Sequence, residues 1–543
     1  MILNYSGIQD RGKWETAGIA LPGYDVRAVS RTGQEMPIWA HFGIGNIFRV
    51  FIGSIADELL ESGCMDRGLI CLENFDEEIV DKIYRPFDNL ALKVILHKDG
   101  QKERKVLGSM AQAMRTMPAY PEEREEVMNV FSSPSLQMVS FTITEKGYVL
   151  KAQTGEWLPQ VGLDLRNGPE KAVSMMAVLT SLLYHRFCTG AYPLALVSMD
   201  NCAHNGMLLK DSILTVALEW QKNRFVPQDF CDYLADENRI SFPCTMIDKI
   251  TPRPLPEVEN ELSRLGLEKM DVIITSKRSY VAPFVNAEKA QYLVIEDNFP
   301  NGRPPLDKAS GVWFTDASTV EKAERMKVSA CLNSVHSALG PLGVVCGYEY
   351  FADLMAEPDF QKLGKTITYQ EGMPVVEDPL IISPKAFADE LFSERFPNKS
   401  LGDTNLRLCT DVTQGWSVRF GETIKAYAER DGSAGSLAGV ALGIAGCLRY
   451  FTGRDDNGNS YELAPDPLAE KLNELLHFED WGITAEDLTG KLQPILSNSS
   501  LFGVDLFQAG LGNRIINMLA EMLTGPGSAR AALQKYFGPE SAA

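Results

Sequence analysis

Positive charge is what this 543-residue chain lacks first. Lysine and arginine total 52 against 72 acidic residues, a formal net charge of -20. Nucleic acid and anionic membranes are thereby excluded as main partners, because their phosphates would be repelled. A local basic pocket for a small anion stays open. The ten cysteines are scattered with no Cys-x-x-Cys pair and no zinc-like cluster. No structural metal is expected, and reduced, mostly buried thiols point to a cytoplasmic protein. The first residues hold no apolar core of signal-peptide length. The most apolar later run, Leu437 to Leu448, is short and rich in Gly and Ala. It reads as a tightly packed buried helix and not as a membrane span.

The length is too great for one hydrophobic core, so two large domains are expected. Residues 1 to about 35 are polar and mixed, with a turn signal at Pro22-Gly23, and read as a leading arm. Pro37 to Phe42 and Gly68 to Leu72 read as buried strands. Leu90 to Leu96 and Arg104 to Leu107 flank Lys98-Asp-Gly100, a hairpin signal. Strand-like runs continue at 136–144, 194–199 and 240–247, with helical patterns at 169–187 and 206–222. Further β signal lies at 272–275, 292–296 and 312–314. Alternating strands and helices predict a largely parallel, helix-covered sheet. After about Asp316 the pattern turns almost wholly helical, which sets a boundary there: an α/β domain over 1–316 and an all-α domain over 317–543.

The strand ending at Phe42 runs into Gly43-Ile44-Gly45-Asn46 and then a helical pattern. This is the dinucleotide-binding arrangement, in which glycines let the backbone approach a pyrophosphate and the helix N-terminus offers free N–H groups. The third glycine of the usual pattern is replaced by Phe48, with Arg49 after it. Glu73 ends the next strand, where a carboxylate accepts from ribose hydroxyls and repels a 2′-phosphate, favouring NAD over NADP. Asp76 is a less favoured substitute. In the second half, Asn333 and His336 stand at i and i+3 and share a helix face. An amide and a neutral imidazole suit the holding of a carbonyl or hydroxyl oxygen, and Lys327 is the nearby group to move its proton.

Several motifs occur in order along the chain: His41-Phe-Gly-Ile-Gly-Asn-Ile-Phe-Arg49, Thr142-Ile-Thr-Glu-Lys-Gly-Tyr148, Asp200-Asn-Cys-Ala-His-Asn-Gly206, Ile247-Asp-Lys-Ile-Thr-Pro252, Leu332-Asn-Ser-Val-His-Ser337 and Glu394-Arg-Phe-Pro-Asn398. In these the chain resembles the long-chain mannitol dehydrogenase family. The resemblance implies a Rossmann-like N-terminal domain, an α-helical C-terminal domain, a site between them and hydride transfer without metal. It implies that Gly43, Ile44, Gly45, Asn46, Ile47, Phe48, Arg49, Glu73, Thr144 and Glu145 bind NAD. Asn201, Asp248, Lys249 and Arg407 are implied for substrate, and Lys327, Asn333 and His336 for catalysis. His204 reads as a structural residue bonding its turn.

Two departures from the family pattern stand out. The family has a Lys five residues before the Asn; here Val328 is in that place and Lys327 is one further back. On a regular helix Lys327 would lie about 180° from His336. One extra residue in the turn, a π-bulge, would restore the shared face. A locally irregular helix at 327–336 is therefore expected, with Lys249 as reserve acid/base. Second, the family has a Lys eight residues after Arg407, and Asp411-Val-Thr-Gln-Gly415 lacks it.

The resemblance implies NADH-dependent reduction of a ketone on an open-chain sugar derivative. Lys327 would act as acid/base, with its pKa brought toward the working pH, and Asn333 and His336 as the oxyanion site. The glycine loop and the 140–148 stretch look closer to the reductases of keto sugar acids, which points to fructuronate reduced to mannonate. Tagaturonate and mannitol are the alternatives, and a catalytically inactive cofactor-binding relative is the alternative of another class. The partner is a small sugar acid or polyol; monomer and homodimer are both open.

Overall fold

The computed structural model describes residues 1–152, 154–478 and 480–538. The chain divides into two units, Met1–Leu96 with Gly100–Glu321, and His97–Asp99 with Lys322 onward.

The apolar runs of the first unit form a six-stranded parallel sheet of β1 (Trp39–Phe42), β2 (Leu69–Glu73), β3 (Met110–Arg115), β4 (Met138–Phe141), β5 (Leu194–Ser198) and β6 (Ile240–Ser241). Its order is β3-β2-β1-β4-β5-β6. This is the doubly wound order of the Rossmann fold, with the direction of winding reversing between β1 and β4. Both faces are covered, which is why the strands read as unbroken apolar runs. Ala40, Phe42, Leu72 and Phe141 pack beneath the helices Pro121–Ser132, Met175–Thr189 and Asn205–Lys222. Trp39, Leu69, Cys71 and Val197 pack on the other face against Phe48, Ile52 and Ile55.

Two expectations fail here. The first 35 residues are not an arm. Asp25 caps a helix over Val26–Glu35 by accepting from the N–H groups of Arg27 and Ala28. Val26, Val29, Ser30 and Gly33 form its buried face, and the Ser30 hydroxyl donates to Ala111 O at 2.8 Å. The three-to-four spacing is legible, but polar Ser and Gly on the packed face concealed it. The run 240–247 is two strands. Phe242-Pro243 interrupts it, since proline has no N–H to give a ladder. Thr245–Asp248 joins a second sheet, antiparallel to Tyr292–Glu296.

Among the described residues of the second unit no strand forms beyond isolated bridges. Its centre is the helix Asn333–Val345 against Ala438–Tyr450. A Cβ on Gly443 would lie 2.7 Å from the Cβ of Ala338, and one on Gly446 3.3 Å from that of Leu342. The Gly- and Ala-rich run therefore brings two backbones together and is buried in protein. The helical run Ala317–Val345 is long and apolar enough to cross a membrane, with 78% of its apolar window buried inside the protein. Around this centre the helices are interrupted by π-turns at Met326–Cys331, Thr366–Gly372, Leu391–Arg395 and Ser417–Gly421.

Candidate active site

Ligands of doubly wound sheets bind outside the carboxyl ends of the strands where the winding reverses. At that place β1 ends at Phe42 and Gly43 follows it with φ +86°. A Cβ there would sit 2.8 Å from the carbonyl carbon of Thr142, so only glycine fits. Gly45 borders open space. The helix begins at Asn46, leaving first-turn N–H groups for an anion. These features fit a dinucleotide.

The loop 43–49 divides its work. Ile44 and Phe48 are fully buried. Arg49 is buried too, donating to Ala282 O at 2.6 Å and to Asn46 Oδ1 at 2.7 Å, and burial pushes its guanidinium down to about 10. Asn46 in turn donates to Tyr280 O at 2.8 Å. The side chains of Ile44, Phe48 and Arg49 are thus packing and bracing groups. The loop's offer to a ligand is its main chain.

A directional hydrogen-bond chain holds Gly43 from below. Trp39 Nε1 donates to Ser140 Oγ at 2.7 Å, so the Ser140 proton points to His41 Nδ1 at 2.6 Å. His41 Nε2–H then faces Thr142 Oγ1 at 2.9 Å, which donates to Gly43 O at 2.8 Å. Indole can only donate and a carbonyl can only accept, so the polarity is fixed. Burial holds His41 neutral, pushed down to about 3.

Glu73 is neither exposed nor free. Its carboxylate accepts from the N–H groups of Ile44, Asn74, Phe75 and Asp76 at 2.8–3.1 Å, tying the β1 and β2 turns together. Burial raises its pKa. A carboxylate has about four lone-pair sites, so the ribose bonds expected of it meet a competing use. Asp76 Oδ1, by contrast, is buried without a partner, while Oδ2 accepts from Thr275 at 2.7 Å. Thr144 stands at φ +62°, ψ 162°, a region almost reserved for glycine, costing about 1–3 kcal/mol. Asp200 holds it there, accepting from Ile143 N at 3.0 Å, Thr144 N at 2.8 Å and Tyr148 Oη at 2.6 Å. The side chains of Thr144 and Glu145 stay exposed at the end of β4. This role of Asp200 arises only from folding, because nothing in sequence marks a carboxylate as the anchor of another strand's turn.

Asn201 is exposed after β5. Asp248 is buried at the end of its strand. Lys249 Nζ donates to Glu288 O at 2.8 Å. His204 is exposed, in the left-handed region at φ 51°, and makes no capping bond. The turn-bonding role expected of it belongs to Asn205, which donates to Asp200 O at 3.0 Å and to Thr245 Oγ1 at 2.9 Å.

In the second unit the helix is irregular where the spacing required it. Met326–Cys331 is a π-turn. Leu332 N donates to Lys327 O at 2.8 Å, five residues back, and His336 N to Leu332 O at 3.1 Å, four back. Two stacked hydrogen-bonded turns thus separate Lys327 from His336, and the nine-residue interval leaves them about a quarter turn apart instead of on opposite faces. Lys327 is 2% exposed. Among the described residues the Asn333 carboxamide makes no hydrogen bond, although its oxygen is buried. The His336 ring lies edge-on to Phe351 at 4.7 Å and beside Phe396 at 5.2 Å. Desolvation pushes it down to about 4, with Arg407, Arg395 and Arg419 adding to the effect and Asp403 opposing it. The imidazole is neutral at physiological pH.

A family model described as the Mannitol dehydrogenase Rossmann domain matches residues 38–308, and one described as the Mannitol dehydrogenase C-terminal domain matches 319–523. D-mannonate oxidoreductase of Thermotoga maritima is 44% identical over 99% of this chain and 100% of its own length. The chain belongs to the mannitol dehydrogenase family. D-mannonate oxidoreductase of Escherichia coli is 30% identical over 86% of this chain and 89% of its own. Pseudomonas fluorescens mannitol 2-dehydrogenase, solved as a ternary complex with NAD and D-mannitol, shares the fold at TM-score 0.73 and 24% identity, covering 98% of this chain and 99% of its own. The protein is an oxidoreductase of this family, acting between a C–OH group and a carbonyl.

Against the family pattern, position 415, eight after Arg407, is glycine. Arg407 is largely exposed and paired with Asp403, its Nε donating to Oδ1 at 3.0 Å. Arg419, which no sequence motif pointed to, donates from Nη1 to the hydroxyl of Ser337 at 2.8 Å.

Proposed function

We propose that this protein catalyses the reversible NADH-dependent reduction of fructuronate to mannonate. The observation that carries the reading is the π-turn Met326–Cys331, whose extra residue turns Lys327 away from the side of the helix opposite His336 and supports a common site with Asn333 and His336. A buried ammonium, an unsatisfied amide and a neutral imidazole make a set suited to one oxygen atom. The full-length likeness to a D-mannonate oxidoreductase supports the choice of substrate.

With the N–H groups of Gly43 and Ile44 spent on Leu72 O and the Glu73 carboxylate, those of Gly45, Asn46 and Ile47 at the start of the helix would hold the dinucleotide's phosphates, with Thr144 and Glu145 at the neighbouring strand end. Glu73 and Asp76 place two carboxylates at the end of β2. Even with Glu73 engaged, their charge disfavours a 2′-phosphate and so favours NAD over NADP. When bound, the dinucleotide supplies the hydride that reaches the ketone carbon. Asn333 and His336 steady the oxygen as negative charge grows on it. His336 does this as an uncharged N–H donor, because its surroundings keep it deprotonated. Lys327 Nζ gives the oxygen its proton, and in the oxidative direction takes it back. Asn201, Asp248 and Arg407 are assigned to the substrate's remaining hydroxyls. Lys249, its ammonium on a main-chain carbonyl, is set aside as acid/base. The enzyme is assigned to the cytoplasm, as a monomer or homodimer.

Turnover of fructuronate, tagaturonate and fructose with NADH tests the reading. Fructuronate is expected to give the highest kcat/KM. Preference for tagaturonate or fructose would move the protein to another member activity. NADH binding with no turnover of any of the three would make it an inactive relative.

A further inference from the structure

Of the three arginines whose charge reaches His336, Arg419 is the one with no carboxylate partner and no ring beneath it among the described residues. Arg407 is paired with Asp403. Arg395 is buried with its guanidinium over the Phe387 ring. Arg419 spends one N–H on Ser337 Oγ, the residue next to His336, and among the described residues forms no ion pair. A guanidinium carries five N–H donors in a planar fork, so most of this one is unspent. Its side chain is half-buried, its unspent N–H groups are not sealed from solvent, and partial desolvation lowers its pKa. Taking a cation out of water without a counter-charge is costly. A partly desolvated cation with unspent donors is suited to receive an anion.

The local backbone is shaped around it. Arg419 lies on the π-turn Ser417–Gly421. A Cβ on Gly415 would lie 2.7 Å from both Cδ and Cζ of Arg419. Glycine at 415 therefore clears the space in which the guanidinium rests, and any larger residue would push it away. The side chain is thus seated at two points, a glycine cradle at its stem and the Ser337 hydroxyl at its tip.

We infer that Arg419 is the specificity-determining residue that binds the carboxylate of the sugar-acid substrate through its unspent N–H fork. A planar carboxylate matches that fork in bidentate fashion, which a neutral hydroxymethyl end cannot do. This rests on the proposed sugar-acid reduction and adds to it the group that separates acids from neutral ketoses.

The test is steady-state kinetics with NADH on fructuronate and on fructose, which differ at the end bearing the carboxylate. For Arg419→Gln, KM for fructuronate is expected to rise roughly 30-fold or more, the scale of losing one buried charge partner. Its kcat/KM for fructose should change less than about threefold, and NADH affinity by fluorescence should match the parent. Arg419→Lys should recover part of the loss, as a point charge without the fork. Gly415→Ala, which displaces the guanidinium without deleting it, should shift fructuronate KM in the same direction and serves if Arg419→Gln does not fold. Equal losses on both substrates, or an unchanged fructuronate KM in both Arg419→Gln and Gly415→Ala, overturn the inference while leaving sugar-acid reduction intact. Failure of the parent enzyme to reduce any keto sugar acid instead overturns the reading beneath it.

Discussion

Two π-turns invite comparison, Phe48–Ile52 in the first unit and Met326–Cys331 in the second. Each follows or precedes regular helix, and each inserts one extra residue per turn. In the first, all five side chains are buried, with Phe48 stacked on His41 at 4.4 Å. Its extra residue serves packing beneath the glycine turn, and the ligand is left to the main chain. In the second, the extra residue rotates Lys327 by about 100°, from the side opposite His336 to about a quarter turn from it. The same backbone irregularity secures a loop in one place and, in the proposed mechanism, turns a lysine toward the imidazole in the other. The difference lies in which residue types the widened turn carries.

That contrast implies separable defects. The largest is expected at Lys327. Lys327→Ala should lower kcat by roughly 10²- to 10⁴-fold, the range for a positioned acid/base, with NADH affinity unchanged by fluorescence titration. Asn333→Ala should lower kcat by about 10²- to 10³-fold, as for loss of one oxyanion donor, again with NADH binding intact. Gly43→Ala should act in the opposite way. A Cβ would meet the Thr142 backbone at positive φ, destabilising the turn by about 1–3 kcal/mol. NADH affinity should then fall about tenfold, for 1.4 kcal/mol per decade, while kcat at saturating NADH stays near the parent. A variant that moves both quantities equally would dissolve the distinction between the two turns.

The smallest effect concerns pH. His336 is held neutral down to about 4, below the usual value near 6.5. Between those values the unfolded chain binds a proton that the folded chain does not. This contribution to stability is therefore full above about 6.5 and is lost as pH falls toward 4. Urea unfolding from pH 6.5 to 5 should show a slope smaller by roughly 1 kcal/mol per pH unit in His336→Gln than in the parent. Identical slopes would mean that the ring is not desolvated as its aromatic neighbours indicate.

The first unit was legible because its signals are local. Apolar runs, a glycine at a strand end and an acidic residue at the next are all read from a few adjacent positions. The use of Glu73 was not, because four main-chain N–H groups converge on it through folding and leave no trace in sequence. In the second unit the irregular helix at 327–336 was legible through a misfit: Lys327 stands one residue too far from Asn333, and only an extra residue in the turn repairs it. Arg419 was illegible for the opposite reason. It fits no spacing, and its meaning comes from Gly415 and Ser337, which the fold brings to it. The helix at Val26–Glu35 was missed because the residues at its packed face include Ser30 and Gly33, which a hydrophobic pattern overlooks.

The most direct test of Lys327 as proton donor is amine rescue. Turnover of fructuronate by Lys327→Ala is measured with rising concentrations of methylamine. Turnover that is low without amine and climbs with amine concentration, while Asn333→Ala gains nothing, is the expected result. Near-normal turnover of Lys327→Ala in the absence of amine would contradict it.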